Sequence, residues 1–179
     1  MGQKLIGEQR RARILELLKQ SSGPLTGSEL AQNASVSRQV IVQDIALLKA
    51  RNEPIIPTSQ GYIYHRLNDA SPVQVEQIVA CQHDAAHTES ELLLMVDYGL
   101  SVKNVIVEHA LYGEITAQLQ IRTRKDVEAF MQKMRSSGAS YLFELTGGVH
   151  LHTLCAPSQQ MMDEGVAALR EAGFLVNEA

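Results

Sequence analysis

Hydrophobic positions in the first third of the chain recur at helical spacing and are separated by short polar turns. Residues 7–20 have an apolar side, and residues 25–48 fit two helices joined by a tight turn. Thr26 and Glu29 form a capping-box pattern at the start of the first of these two helices. The second has one apolar stripe, made of Ile41, Ile45 and Leu48. This arrangement predicts a helix-turn-helix.

Two short β-prone segments follow directly after these helices. Residues 54–57 and 62–64 flank a tight turn that contains Gly61, which predicts a hairpin. A hairpin in this position turns a helix-turn-helix into a winged helix. The polar, turn-prone residues 67–72 then predict a linker.

Beyond the linker, half-buried strand patterns alternate with amphipathic helices. Strands are predicted over residues 73–81, 102–108, 114–122, 148–154 and 174–176, and helices over 88–98, 125–136 and 158–172. Thr88 and Glu91 form a second capping-box pattern. The predicted fold class is therefore α+β. It comprises a winged helix-turn-helix over 1–66, a linker over 67–72, and an α+β domain with a mostly antiparallel sheet and flanking helices over 73–179.

Composition narrows the class of protein. The chain has 179 residues, of which 45% are hydrophobic, enough for packed cores in one large or two small domains. No apolar run approaches the roughly 18 residues of a membrane span, and the N-terminus lacks the apolar core of a signal peptide. We therefore expect a cytoplasmic protein without a membrane partner. Its two cysteines, Cys81 and Cys155, are expected to be buried free thiols.

Charge is distributed unevenly along the chain. The net charge is −4, which alone argues against a nucleic-acid partner. Residues 1–66, however, hold nine Lys/Arg and five Asp/Glu, a net of +4, whereas the remainder holds seven and fifteen, a net of −8. This asymmetry predicts a DNA-facing module joined to a different kind of domain.

The side of the second helix opposite its apolar stripe carries side chains suited to reading bases. Arg38 can bond guanine bidentately, and Gln39 and Gln43 can do the same with adenine. Together with Ser37 at the start of the helix, they are the predicted DNA-binding residues. The alternative is a helical hairpin with a polar, solvated face.

The histidines indicate chemistry in the second domain. His150 and His152 are two apart in a predicted strand and therefore face the same side, as a pair of metal ligands would. Polar surface or pocket lining is the alternative. Further candidates are His83, His87, Glu89, Glu91 and His109, and their spacing leaves open which of them join the pair. Neither cysteine has a nucleophile's setting and no phosphate-binding glycine loop occurs, so a sensor is favoured over an enzyme.

These motifs resemble a known family over almost the whole chain. Residues 7–64 resemble the winged helix-turn-helix of biotin-operon-type repressors, and residues from about 73 onward resemble the three-histidine domain. The matching pieces are His83, Glu91-Leu92, MVDYG at 95–99, VIVEH at 105–109, YGE at 112–114, RKDV at 124–127 and LTGGVHLHT at 145–153. The combination is similar to the niacin-responsive transcriptional repressors of bacteria.

The resemblance implies a homodimeric repressor of genes for NAD biosynthesis or niacin uptake. Its partners would be double-stranded operator DNA and nicotinic acid as corepressor, and it would not be an enzyme. The resemblance also implies a divalent transition metal (zinc, nickel or iron) in the second domain. By matching position, the ligands would be His83, Glu91, His150 and His152.

Some features leave alternatives open. His87 lies close enough in sequence to replace His83 as a ligand. Ala110 and Leu111 stand where the family usually has Pro-Val, which makes that turn less rigid. The candidate effector-pocket residues are His109, Tyr112, Arg122 and Arg124. Two other functions remain: a regulator for which the metal ion itself is the signal, and a small-molecule enzyme fused to a DNA-binding module.

Overall fold

The chain divides into two compact units, Met1–Ala70 and Ser71–Ala179. The computed structural model describes residues 7–65 and 74–176, so the predicted linker over 67–72 lies outside the described residues. Each unit has its own hydrophobic core. Among the helices of the described ranges, none combines the length and the apolar character that crossing a membrane requires.

The first unit is the predicted winged helix-turn-helix. Its elements are α1 (Gly7–Gln20), α2 (Gly27–Ala34), α3 (Arg38–Ala50), β1 (Ile55–Thr58) and β2 (Gly61–Tyr64). The predicted capping box begins α2, since the Glu29 amide donates to the Thr26 hydroxyl at 3.1 Å and the Thr26 amide donates to the Glu29 carboxylate at 2.7 Å. Ser35, with a left-handed φ of 53°, ends α2 and allows the sharp turn into α3.

The core of this unit lies between the three helices. The predicted stripe of α3 is buried against Ile14 and Leu18 of α1 and Leu30 of α2. One charged residue of α3, Asp44, is buried with it, and its side chain is only 2% exposed. Arg10 Nε lies 2.5 Å from one carboxylate oxygen of Asp44, and Arg11 Nη1 lies 3.3 Å from the other. This ion pair ties α1 to α3.

The wing is a short antiparallel hairpin that packs against the segment before α2. Tyr62 of the wing and Leu25 exchange two backbone hydrogen bonds, of 2.8 and 3.0 Å. Gly61 has a φ of 142°, and a Cβ at this position would lie 2.5 Å from the Leu25 carbonyl oxygen. Only glycine permits so close an approach of the two backbones.

The second unit has the predicted α+β architecture. Its elements are β3 (Val75–Gln82), α4 (Thr88–Asp97), β4 (Ser101–His109), β5 (Gly113–Ile121), α5 (Arg124–Ser137), β6 (Val149–Ala156) and α6 (Gln159–Glu171). All neighbouring strands are antiparallel, in the order β3-β6-β4-β5. Helix α4 packs on β4, and α6 packs on β3 and β6. The strand predicted over 174–176 is reduced to a single bridge between Leu175 and Cys81.

The pairing of β3 with β6 determines which side chains meet. In this register Cys81 lies opposite His150, and Val79 lies opposite His152. Residues opposite each other in an antiparallel pair project to the same face, and all four are buried. Residues of β3 and β6 that are distant in sequence therefore lie side by side on this face, beneath α4.

Candidate metal centre and DNA-binding surface

Three histidines and one glutamate meet in the interior of the second unit. His150 and His152 belong to β6, His83 directly follows β3, and Glu91 lies in the first turn of α4. Glu91 Oε2 lies 2.9 Å from Nε2 of His83 and 3.4 Å from Nε2 of His152. Glu91 Oε1 lies 3.5 Å from Nε2 of His150. We call these four residues, His83, Glu91, His150 and His152, the four-residue cluster.

Each imidazole of the four-residue cluster is held in place through its other nitrogen. Nδ1 of His83 lies 2.8 Å from the carbonyl oxygen of Asp84. Nδ1 of His150 lies 2.9 Å from the carbonyl oxygen of Gly148, and Nδ1 of His152 lies 2.9 Å from that of Asn104. A carbonyl oxygen only accepts, so Nδ1 carries the proton in each ring. Nε2 of each ring therefore faces Glu91, and once it has lost its proton it is the nitrogen that a metal would bind, as in metal-binding histidines.

The cluster is enclosed by aromatic rings. Phe143 stacks on His150 with ring centroids 4.9 Å apart, and meets His83 edge-on at 5.1 Å. Phe174 also contacts His83, with centroids 5.7 Å apart. All four cluster side chains are at most 4% exposed, so water does not solvate the carboxylate freely.

The electrostatics of Glu91 suit a cation. Burial alone would raise the pKa of Glu91, but the imidazoles of His150, His152 and His83 outweigh burial and hold its pKa well below the ordinary value. The group is therefore a carboxylate. Nonetheless Glu91 Oε1 and the Nε2 atoms of His83 and His150 have no partner in hydrogen-bonding geometry. Buried polar atoms are rarely left unpaired, and a metal ion at this point would satisfy all three.

The position of Glu91 overturns one local prediction. The capping box expected from Thr88 and Glu91 is wrong, because α4 begins after His87 without a side-chain cap. A short 3₁₀ helix, Ala85–His87, leads directly into α4. The Thr88 hydroxyl is buried without a hydrogen-bond partner, and the Glu91 side chain contacts the histidines instead.

Cys81 is a residue of this site that the sequence analysis did not select. Its sulfur, a carboxylate oxygen of Glu91 and a ring nitrogen of His150 lie within 4.8 Å of one another. It was expected to be a buried free thiol, and that description is confirmed. Its position two residues before His83, at the end of β3, was the signal that places both on the same face.

The structure also separates the other acidic and histidine candidates from the cluster. The His87 side chain is 60% exposed, and its Nδ1 lies 2.6 Å from an Asp84 carboxylate oxygen. Glu89 lies 3.6 Å from the Arg135 guanidinium. The ring next to Glu91 is therefore that of His83, not that of His87.

The four candidate effector-pocket residues lie elsewhere on the second unit. His109 Nδ1 accepts hydrogen bonds from the Leu111 and Tyr112 amides at the β4–β5 turn, and Tyr112 is 73% exposed. Arg122 donates to Gln120, and Arg124 forms an exposed ion pair with Asp97. A cavity of about 160 Å³ instead opens onto Glu91 and His152.

The predicted DNA-binding residues share one exposed surface of the first unit. Arg38, Gln39 and Gln43 are exposed on the first turns of α3, and Ser37 is its exposed N-cap residue. The Ser37 hydroxyl makes no capping hydrogen bond to α3. This is the part of a recognition helix that contacts base edges.

Gly148 provides a test of how the cluster is positioned. Its φ is +94°, and a Cβ would lie 2.5 Å from the His83 carbonyl oxygen. We expect Gly148→Ala to lower the free energy of unfolding by about 3 kcal/mol or more. Gly147, with φ +64° and open space around it, is the matched control, and Gly147→Ala should cost about 1 kcal/mol. Urea unfolding measures both free energies, and equal losses for the two variants would contradict the close approach of Gly148 to the His83 carbonyl oxygen.

Comparison with known proteins agrees with both units. Residues 76–178 match the 3H domain family and residues 10–63 match an HTH domain family. The chain is 53% identical over 175 residues to "Transcription repressor NadR" of Bacillus subtilis (strain 168), covering 98% of this chain and 97% of that protein. It is 36% identical over 178 residues to "Probable transcription repressor NiaR" of Thermotoga maritima, covering 99% of both. The chain belongs to the family of transcription repressors in which an N-terminal HTH domain precedes a 3H domain.

Proposed function

We propose that this protein is a bacterial repressor of genes for NAD biosynthesis or niacin uptake, with nicotinic acid as corepressor. In this proposal His83, Glu91, His150 and His152 hold a divalent transition metal. The observation that carries it is the orientation of three buried Nε2 atoms toward one buried carboxylate, beside a small cavity. The names of the two relatives support the assignment to NAD-related genes.

The donor set suits a borderline transition metal. Neutral imidazoles and one carboxylate are ligands of zinc, nickel and iron, whereas magnesium and calcium prefer oxygen alone. A divalent ion bound there would supply positive charge and an open coordination position to a ligand in the cavity. The protein's own part is to fix the three rings through their Nδ1 hydrogen bonds and to exclude water.

The cavity beside the cluster fits a small aromatic acid. Its walls are mostly apolar, with Leu92, Leu119 and Phe130 among the lining residues, and Glu91 and His152 are among its polar ones. Of the described residues that line it, none is Lys or Arg. A carboxylate ligand would therefore need the metal as its cation. For this reason we place nicotinic acid in this cavity rather than near His109, Tyr112, Arg122 or Arg124.

Operator binding requires two copies of the first unit. One recognition helix reads one half-site, and a homodimer reads two half-sites about 34 Å apart in adjacent major-groove turns. Nicotinic acid can tighten DNA binding only if it favours the dimer geometry in which both helices fit. We propose that it does so through the second unit.

The test is fluorescence anisotropy of labelled DNA from upstream of NAD-synthesis genes, with metal-loaded full-length protein and with or without nicotinic acid. Tightening by nicotinic acid is expected for the unmodified protein and for His87→Ala, an exposed histidine outside the cluster. It should be lost in His152→Ala, whose Nε2 faces Glu91.

Three other outcomes of these measurements would argue against nicotinic acid as the corepressor. Binding that follows metal concentration and ignores nicotinic acid would make the metal the signal. Consumption of nicotinic acid by the purified protein would support the enzyme hypothesis. DNA binding that nicotinic acid does not change in any variant would contradict the corepressor proposal.

A separate prediction concerns how α3 reads DNA. Gln43→Ala should weaken specific operator binding by about 1–3 kcal/mol, or about 5- to 150-fold, because a side chain at this exposed position can bond a base edge. Lys49→Ala, also exposed but in the last turn of α3, should weaken binding to specific and unrelated DNA alike. Competition with unrelated DNA distinguishes the two. An equal loss on both DNAs for Gln43→Ala would argue against base contact.

A further inference from the structure

We propose that the thiolate of Cys81 is an additional protein ligand of the metal centre. This inference rests on the proposed function, since it adds a sulfur donor to the four-residue cluster. It changes the chemistry of the site, because a centre of nitrogen and oxygen donors becomes one with a soft ligand.

The sheet register puts Cys81 where a ligand would be. Cys81 lies directly opposite His150 in the pairing of β3 with β6, and it is fully buried. Its sulfur is within 4.8 Å of both a ring nitrogen of His150 and a carboxylate oxygen of Glu91. Cys81 and His83 come from one strand end, and His150 and His152 from the strand beside it, so four donors line one face beneath Glu91.

The two residues grouped with Cys81 each carry an unpaired buried atom. Nε2 of His150 and Oε1 of Glu91 have no hydrogen-bond partner. An unpaired polar atom in the interior is costly unless a ligand satisfies it. A metal ion beside the Cys81 sulfur would satisfy both of these atoms.

Cys155 shows what a merely buried cysteine looks like in this sheet. It lies on β6 three residues after His152, on the opposite face by strand alternation. Its sulfur lies 3.7 Å from a Glu76 carboxylate oxygen, and it is 6% exposed. The two cysteines are thus alike in burial and differ in which face of the sheet they occupy.

Coordination by Cys81 would have a defined chemical outcome. The S–H bond breaks, a sulfur–metal bond forms, and the proton leaves to solvent without any change of oxidation state. Thiolate ligands favour zinc, cobalt and other borderline or soft ions over magnesium and manganese. The centre would therefore discriminate more strongly among metals than three imidazoles and a carboxylate alone.

Cobalt(II) titration of the metal-free full-length protein tests this inference. A sulfur-to-cobalt charge-transfer band in the near ultraviolet is expected together with visible d–d bands. Cys81→Ser should lose the charge-transfer band, keep d–d bands, and bind cobalt at least about tenfold more weakly. Cys155→Ser should keep both bands and the affinity of the unmodified protein.

A second measurement needs no substitution. X-ray absorption of the zinc-loaded, unmodified protein should show one sulfur atom at about 2.3 Å from zinc, together with nitrogen or oxygen atoms at about 2.0–2.1 Å. Only lighter scatterers, or a charge-transfer band retained by Cys81→Ser, would overturn the role of Cys81. Absence of any d–d band with cobalt, or of bound zinc, would instead contradict the proposed metal centre itself.

Discussion

Replacing Glu91 with Gln is expected to remove the stabilisation of the second unit by added metal. At a metal concentration about a thousandfold above Kd, ligand binding adds about 4 kcal/mol to the free energy of unfolding. Glu91 supplies the negative charge of the cluster and touches all three imidazoles. Glu91→Gln keeps the side-chain shape but removes the charge, so this gain should fall close to zero. Thermal unfolding with zinc or with a chelator measures the difference.

Glu89→Gln is the matched control for this substitution. Glu89 lies in the same first turn of α4 but pairs with Arg135 on the surface. Its variant should retain the full metal-dependent increase in Tm. A normal increase in Glu91→Gln would show that the metal binds elsewhere, while a loss in both variants would point to a general weakening of α4.

The second large effect is expected in the first unit. Asp44→Asn should lower its free energy of unfolding by about 3–5 kcal/mol, because it breaks a buried ion pair. It removes the charge that Arg10 and Arg11 share, although Arg11 keeps its pair with Glu8. The side chains of Arg10 and Arg11 are only 14% and 15% exposed, so water compensates little. DNA binding should fall with it, since Asp44 holds α3 against α1.

The Arg13–Glu16 pair of α1 is the appropriate comparison. These side chains are 45% and 51% exposed, and exposed pairs contribute about 0–1 kcal/mol. Glu16→Gln should therefore barely change urea unfolding followed by circular dichroism. Metal binding by Asp44→Asn should stay normal if the second unit folds by itself. If Asp44→Asn lowered the free energy of unfolding as little as Glu16→Gln does, the buried pair would contribute little to stability.

The elements of this fold were largely predictable because their signals are local. The apolar stripe of Ile41, Ile45 and Leu48 and the Thr26 capping box depend on residues a few positions apart, and both form as expected. The same kind of reasoning failed at Thr88 and Glu91. That pattern also fits a capping box, but the contacts of Glu91 with three distant imidazoles determine its conformation.

The candidate site was predictable only in part, since its assembly depends on strand register. His150 and His152 share a face by strand alternation alone. Which strand lies beside them is a long-range property, and only the pairing of β3 with β6 brings Cys81 opposite His150. The cavity wall likewise comes from several separate elements, including Leu119 of β5 and Phe130 of α5. Sequence spacing carries no information about such a meeting.

The position of β3 at the edge of the sheet has a consequence for synthesis of the chain. β3 pairs with β6 and with no other strand of the described sheet, although β4, β5 and two α-helices come between them in sequence. A growing chain that has emerged through β5 therefore holds His83 and Glu91 without His150 and His152. Strand pairings distant in sequence form late. The nascent repressor can complete its first unit before β6 is made, and it gains the four-residue cluster only once β6 has emerged.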